Sequence, residues 1–152
     1  MTTPLTRLAE LGLHLPTVVP PLAAYVPAVR HGDLVFTSGQ LPLVEGALPL
    51  TGKVGAQVSP EQAHELARTC ALNALAALDQ LVGLDSVVKV VKVVGYVASD
   101  PGFTGQPGVV NGASELLGAD FAESGRHARS AVGVSVLPLD APVEVELIVA
   151  VR

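Results

Sequence analysis

One arginine and two glutamates stand in stretches whose other residues are those of buried strands. From Ala128 to Leu137, alternation puts Ala128, Ser130, Val132, Val134 and Val136 on one face and Arg129, Ala131, Gly133, Ser135 and Leu137 on the other, because successive strand residues point to opposite faces. Arg129 therefore stands among side chains small enough to leave room beside its guanidinium. From Val143 to Val151 the odd positions are Val143, Val145, Leu147, Val149 and Val151, and Glu144 and Glu146 share the even face with Ile148 and Ala150. A charge on an apolar strand is costly unless it is paired. Two readings follow. In the first, Arg129 and Glu144 form an ion pair that holds the two last strands together. In the second, the planar donor fork of Arg129 grips a small carboxylate, while Glu144 positions a water or takes a proton. The two are compatible if Glu144 orients the arginine and a ligand takes the free edge of the fork. Glu146 reads as a supporting or interface residue.

Other polar residues offer less. Tyr25 and Ser38 fall on an expected hairpin, where their hydroxyls suit either a polar ligand or ordinary strand positions. Asn111 suits a ligand or a helix cap. His14, His31, His64 and His127 are scattered, with no His-x-x-x-His or Cys-x-x-Cys pair, so no metal site is expected. There is no phosphate-binding Gly-x-x-x-x-Gly-Lys-[Ser/Thr] loop and no Gly-x-Ser-x-Gly nucleophile motif, and no cofactor is expected. The single Cys70 excludes an internal disulfide and fits a reducing cytoplasm. It lies on an apolar helical stripe and reads as a small core residue.

The elements that must carry these residues are legible in turn. The 152 residues read as one domain, with 1–22 as an N-terminal arm that opens on a short helical pattern (Leu5, Leu8, Ala9, Leu11). Tyr25 to Arg30 and Leu34 to Ser38 flank His31-Gly32-Asp33 as a hairpin, and Pro27 pushes the first strand towards a sheet edge. Residues 39–58 are loop-rich. Ser59-Pro60-Glu61-Gln62 is a capping box with proline at the first helical position. Apolar residues follow at 63, 66, 67, 70, 71, 74, 75, 78 and 81, and Gly83 ends the helix. Ser86 to Val97 repeats Val-Val-Lys with period three; strict alternation would put Lys89 and Lys92 on opposite faces. Its β-branched content favours an irregular strand with Gly95 at or near a bulge. A second helix runs from about Pro107 to Ser124 and ends at Gly125. Strands and helices in this order predict an α+β fold, a mixed sheet covered by two helices on one face.

Charged residues make up 15% of the chain and hydrophobic ones 49%, against about 25% charged in ordinary domains. No run is long and apolar enough for a membrane span, so the excess apolar surface points to a homo-oligomer. A net charge of −5 with few aromatics argues against nucleic acid as a partner. The N-terminus has no signal-peptide pattern.

The chain carries Tyr25-Val26, Phe36-Thr37-Ser38-Gly39-Gln40-Leu41-Pro42, Asn73, Val87-Val88-Lys89, Asn111, Ala128-Arg129-Ser130, Leu137-Pro138 and Val143-Glu144-Val145-Glu146 in this order and at these spacings. On these the chain resembles the RidA/YjgF family of enamine/imine deaminases over almost its whole length. The Phe103–Arg126 connection is more similar to a branch described as chorismate-mutase-like or, by analogy, endoribonuclease. The resemblance implies a chorismate-mutase-like α+β fold and a cytoplasmic homotrimer with ligand clefts between subunits. It implies that Arg129 binds the carboxylate of an imine such as 2-aminoacrylate and that Glu144 helps place the hydrolytic water, giving a 2-keto acid and ammonia. Tyr25, Ser38, Gly39 and Asn111, with Ser130 beside the arginine, match the substrate-binding positions. The chain departs from the pattern at His127 (usually Pro), Ala131 (often Cys) and Ala23-Ala24 (commonly Gly-Pro). The alternatives are a non-catalytic trimer that binds a small carboxylate metabolite and an endoribonuclease or translation inhibitor. Chorismate mutase activity would want more cationic groups than one arginine.

Overall fold

The computed structural model describes residues 2–21 and 23–152; Met1 and Leu22, both part of the expected arm, lie outside the described residues. The elements are α1 (Pro4–Glu10), β1 (Ala28–His31), β2 (Leu34–Thr37), α2 (Pro60–Val82), β3 (Val87–Ala98), α3 (Gln106–Phe121), β4 (Ala128–Val134) and β5 (Val143–Val151). The strands form a five-stranded mixed sheet in the order β1-β2-β5-β3-β4. Only the β3–β4 pair is parallel. β1 is an edge strand, as Pro27 requires. The two last strands are not neighbours, because β3 lies between them.

α2 forms for local reasons. The Ser59 hydroxyl accepts from the Gln62 N–H at 3.1 Å, and the Gln62 side chain accepts from the Ser59 N–H at 2.9 Å. These reciprocal bonds satisfy donors that a helix start would otherwise leave open. Its apolar stripe is buried except at Leu81, and Gly83 ends it in a left-handed conformation with φ 78°. α3 lies against it closely enough that a Cβ at Gly112 would come within 1.9 Å of the His64 carbonyl oxygen. The core forms between these helices and one face of the sheet, with Val143, Val145, Leu147, Val149 and Val151 all buried. No helix among the described residues packs on the opposite face of the sheet. Among the described residues, no helix is long and apolar enough to cross a membrane.

β3 resolves the period-three puzzle. Its register against β5 shifts twice, between Val87 and Lys89 and between Val90 and Lys92. Each extra residue restores the phase, so Val87, Val90 and Val93 are all buried. Lys89 and Lys92 pair with Ala150 and Ile148, and both therefore stand on the uncovered side. Strict alternation, which would separate them, does not hold. The expected bulge at Gly95 is also corrected, for Gly95 pairs regularly with Val145 and Ala131. Its lack of a side chain answers a different need, since a Cβ there would lie 2.4 Å from the Val110 side chain on α3.

Among the described residues, one buried carboxyl has no hydrogen-bond partner. Asp120, at the end of α3, has no exposed surface, and neither of its carboxylate oxygens has a hydrogen-bond partner. Arg7 of α1 reaches the Asp120 backbone carbonyl instead, at 3.1 Å. Burial pushes the Asp120 carboxyl up to about 7, opposed by the charge of Arg7 and reinforced by Asp85. A carboxyl raised in the folded state keeps a proton that the unfolded chain gives up. Its contribution therefore weakens folding progressively from about pH 4 to pH 7 and levels off above, by on the order of 4 kcal/mol at most. Asp120→Asn is expected to match the wild type near pH 4, to exceed its stability increasingly up to about pH 7, and to keep that margin above it in urea unfolding. A difference that does not vary with pH would contradict this.

Candidate functional site

Arg129 is the second residue of β4 and pairs with Val93, which faces the helices. Because β4 is the sheet edge, the arginine reaches past the core to the first turns of α3. Its Nη1 donates to Asn111 Oδ1 at 2.7 Å and to Ser114 Oγ at 3.2 Å, and its Nη2 donates to the Pro107 carbonyl at 3.3 Å. A guanidinium has five N–H donors. Three are held here, which leaves one on Nε and one on Nη2 without a partner among the described residues. All three acceptors are neutral, so the positive charge is oriented but not cancelled. Ser114 in turn touches His127 Nε2 at 2.9 Å, and His127 Nδ1 donates to the Gly125 carbonyl at 2.6 Å.

Glu144 stands elsewhere. It pairs with Tyr96, on the face opposite the buried valines, and is separated from β4 by two strand spacings, roughly 10 Å. The expected Arg129–Glu144 ion pair is absent from the ion pairs among the described residues. The reason is geometric: the two side chains project from opposite faces of the sheet on non-adjacent strands. Burial raises the Glu144 carboxyl above the ordinary glutamate range, and the neighbouring Glu146 carboxylate adds to the effect. Glu146 accepts from the Tyr96 hydroxyl at 2.9 Å, which fits a supporting role.

Gly39 lies against Glu144; a Cβ at position 39 would come within 2.8 Å of the Glu144 carboxyl carbon. Reciprocal bonds between Gln40 and Val145 fix that approach. Ser38 falls just beyond β2, and its hydroxyl donates to the Val26 carbonyl at 2.6 Å. Tyr25 precedes β1 rather than lying in it, and lines a small cavity with Pro27, Gly39 and Gln40. Ser130 pairs with Val94, which also pairs with Glu146, so it faces the uncovered side, away from the side chain of Arg129. Asn111 does not cap α3; it holds the arginine.

Within one chain, then, the expected residues fall into two groups. Arg129 and Asn111 stand at the β4–α3 edge, while Tyr25, Ser38, Gly39 and Glu144 gather at the β2–β5 side. Three contributors escaped the sequence reading. Ser114 lies three residues after Asn111, on the same face of a helix, and that spacing could have found it. His127 adjoins the arginine motif, but its contacts depend on the turn at Gly125. Tyr96 could not be placed on a face without knowing the bulges of β3. Cys70 is fully buried, and burial, reinforced by Glu144, holds its thiol well above the ordinary range. That describes a core residue, not a nucleophile.

The family model described as "YjgF/chorismate_mutase-like, putative endoribonuclease" matches residues 5–151. Protein TCP17 of Trypanosoma cruzi is 42% identical over 145 residues, which span 94% of this chain and 91% of that protein. Among solved structures, Atu1372 of Agrobacterium tumefaciens, described as of unknown function, is 41% identical with a TM-score of 0.89, covering 98% of this chain and 92% of that one. The YjgF gene product of E. coli is 30% identical with a TM-score of 0.64, covering 90% and 94%.

In the Glu146→Gln variant the Glu144 carboxyl is expected to titrate lower than in the wild type, yet still above an exposed glutamate, because burial is the larger cause. Carboxyl carbon NMR across a pH series would show it. An unmoved Glu144 resonance would mean that the two carboxylates do not interact.

Proposed function

The chain belongs to the YjgF/chorismate-mutase-like family, and from that premise we propose that it is a hydrolytic deaminase of small carboxylate-bearing imines and enamines. The observation that carries the proposal is the state of Arg129. Three neutral acceptors fix its guanidinium, and two N–H donors remain for an incoming carboxylate, the bidentate arrangement in which arginine binds most specifically. Glu144, whose carboxyl is raised by burial, is suited to accept a proton from water near neutral pH. An enamine such as 2-aminoacrylate first tautomerises to the imine, taking a proton on its terminal carbon and giving one up from nitrogen. Water then adds to the imine carbon and a proton passes to nitrogen. Loss of ammonia leaves the 2-keto acid.

Arg129 and Glu144 lie too far apart in one chain to act on one small substrate, so the proposed site is built from two subunits. The uncovered face of the sheet supplies a reason for them to associate. Leu34, Phe36 and Val132 are each more than a third exposed there, beside half-buried Ile148 and Tyr96. A homotrimer with a cleft at each subunit boundary, as the family resemblance implies, would cover this face. The family description and several relatives carry the word endoribonuclease, but the net charge of −5 and the scarcity of aromatic residues give this chain little with which to hold a phosphate backbone. A non-catalytic trimer that binds a small carboxylate would use the same Arg129 and differ only in lacking turnover.

The test is to generate 2-aminoacrylate with a dehydratase and follow pyruvate release. The protein is expected to accelerate release, and a folded Arg129→Ala variant to lose about 100-fold or more, as when a paired charge in a site is removed. Light scattering is expected to give three times the chain mass of 15.5 kDa. Saturable carboxylate binding without turnover would replace the deaminase reading by the binding-protein one.

A further inference from the structure

We infer that His127 and Ser114 are positioning residues for Arg129, acting through one defined histidine tautomer; this rests on the reading of Arg129 as the carboxylate anchor. The backbone of Gly125 is pressed against the end of α3. A Cβ at that position would lie 2.4 Å from the Leu117 carbonyl oxygen, so the chain there has little freedom. The Gly125 carbonyl is an acceptor only, and His127 Nδ1 lies 2.6 Å from it. Nδ1 therefore carries the proton. In a neutral imidazole that leaves Nε2 as an acceptor, and the group it faces, at 2.9 Å, is the Ser114 hydroxyl. Ser114 spends its single proton on Nε2 and presents a lone pair to Arg129 Nη1 at 3.2 Å. The order of donation runs from Arg129 to Ser114 to His127 to the Gly125 carbonyl.

Every link in this chain runs in one direction, so the rotor of Ser114 is fixed by His127. Reversing one link breaks the next. If Nε2 carried a proton it would donate to Ser114, whose oxygen would then receive from both His127 and the arginine while its own proton lost its acceptor. The network also closes a loop: Ser114 and Gly125 flank the second half of α3, while His127 and Arg129 bracket the first residue of β4. It therefore ties the helix that supplies Asn111 to the strand that supplies the arginine. The residues act on the geometry of the fork and do not themselves meet the substrate.

Ser114→Ala and His127→Phe are each expected to raise KM for 2-aminoacrylate by about 10-fold, the loss typical of a hydrogen bond to a charged group. Because the chemical step is untouched, kcat should stay within about threefold. The double variant should be no worse than either single one, because both break the same link. His127→Gln, whose amide oxygen can accept from Ser114, is expected to restore most of the affinity. Independently of activity, long-range proton–nitrogen NMR of the labelled wild type should show His127 protonated on Nδ1, and the Arg129 Nε–H resonance should shift in Ser114→Ala. Folded variants with wild-type KM, or additive effects in the double variant, would overturn the inference while leaving the deaminase reading intact. Absence of turnover in the wild type would sink that reading instead. The positioning claim would then be decided by NMR: a proton on Nε2, or an unmoved Arg129 resonance, would overturn it.

Discussion

The alternation of β5 is the constraint on which the rest of the structure depends. This strand lies inside the sheet, between β2 and β3, and its five odd residues are all apolar and buried under the helices. That commitment leaves no choice for Glu144 and Glu146. Side chains of period two must then emerge on the uncovered face, together with Tyr96 and Phe36 from the neighbouring strands and Val132 from β4. A slip of one residue would bury two carboxylates in the core and expose the valines, so the register is strongly held. Covering one face well leaves a second face, apolar and carrying Lys89 and Lys92 beside Glu144 and Glu146, that no helix among the described residues covers.

Arg129 obeys the same alternation with the opposite result. It points to the helix side, where a charge would be untenable in the middle of the sheet. It is tolerated because β4 is the edge and because α3 offers neutral acceptors at Asn111, Ser114 and Pro107. An ion pair with Glu144 would have cancelled its charge. Bonds to neutral groups hold the guanidinium in place and leave its field largely intact. The glutamate is shaped by the reverse situation. Burial and a like charge from Glu146 raise its carboxyl, which favours a group that exchanges a proton over one that stays ionised.

Much of this was legible in the chain. The capping box at Ser59–Gln62, the stripe of α2, the hairpin around Gly32 and the alternation of β5 are local signals, and the structure carries each of them. What failed depended on contacts distant in sequence. The Arg129–Glu144 pair assumed that the two last strands are neighbours, whereas the parallel β3–β4 pairing inserts β3 between them. The role of Gly95 was misread because its constraint comes from Val110 on another element. The Val-Val-Lys repeat did signal irregularity, but only the pairing with β5 shows where the extra residues fall. Of the candidate site, residue identities were readable and their grouping was not. Gly39 could not be matched to Glu144, nor His127 to Ser114, without the fold.

The central claim is that Arg129 of one subunit serves the same cleft as Glu144 of another. Mixing two inactive variants, Arg129→Ala and Glu144→Gln, by co-refolding tests it directly, with imine hydrolysis by the refolded wild type as the reference. Random assembly into closed rings should regenerate intact clefts in about a quarter of the boundaries, and activity should return to that level from two preparations that separately have little. Mixed assemblies that form but stay as inactive as their parents would contradict the account and place the two residues' roles within a single chain or outside catalysis.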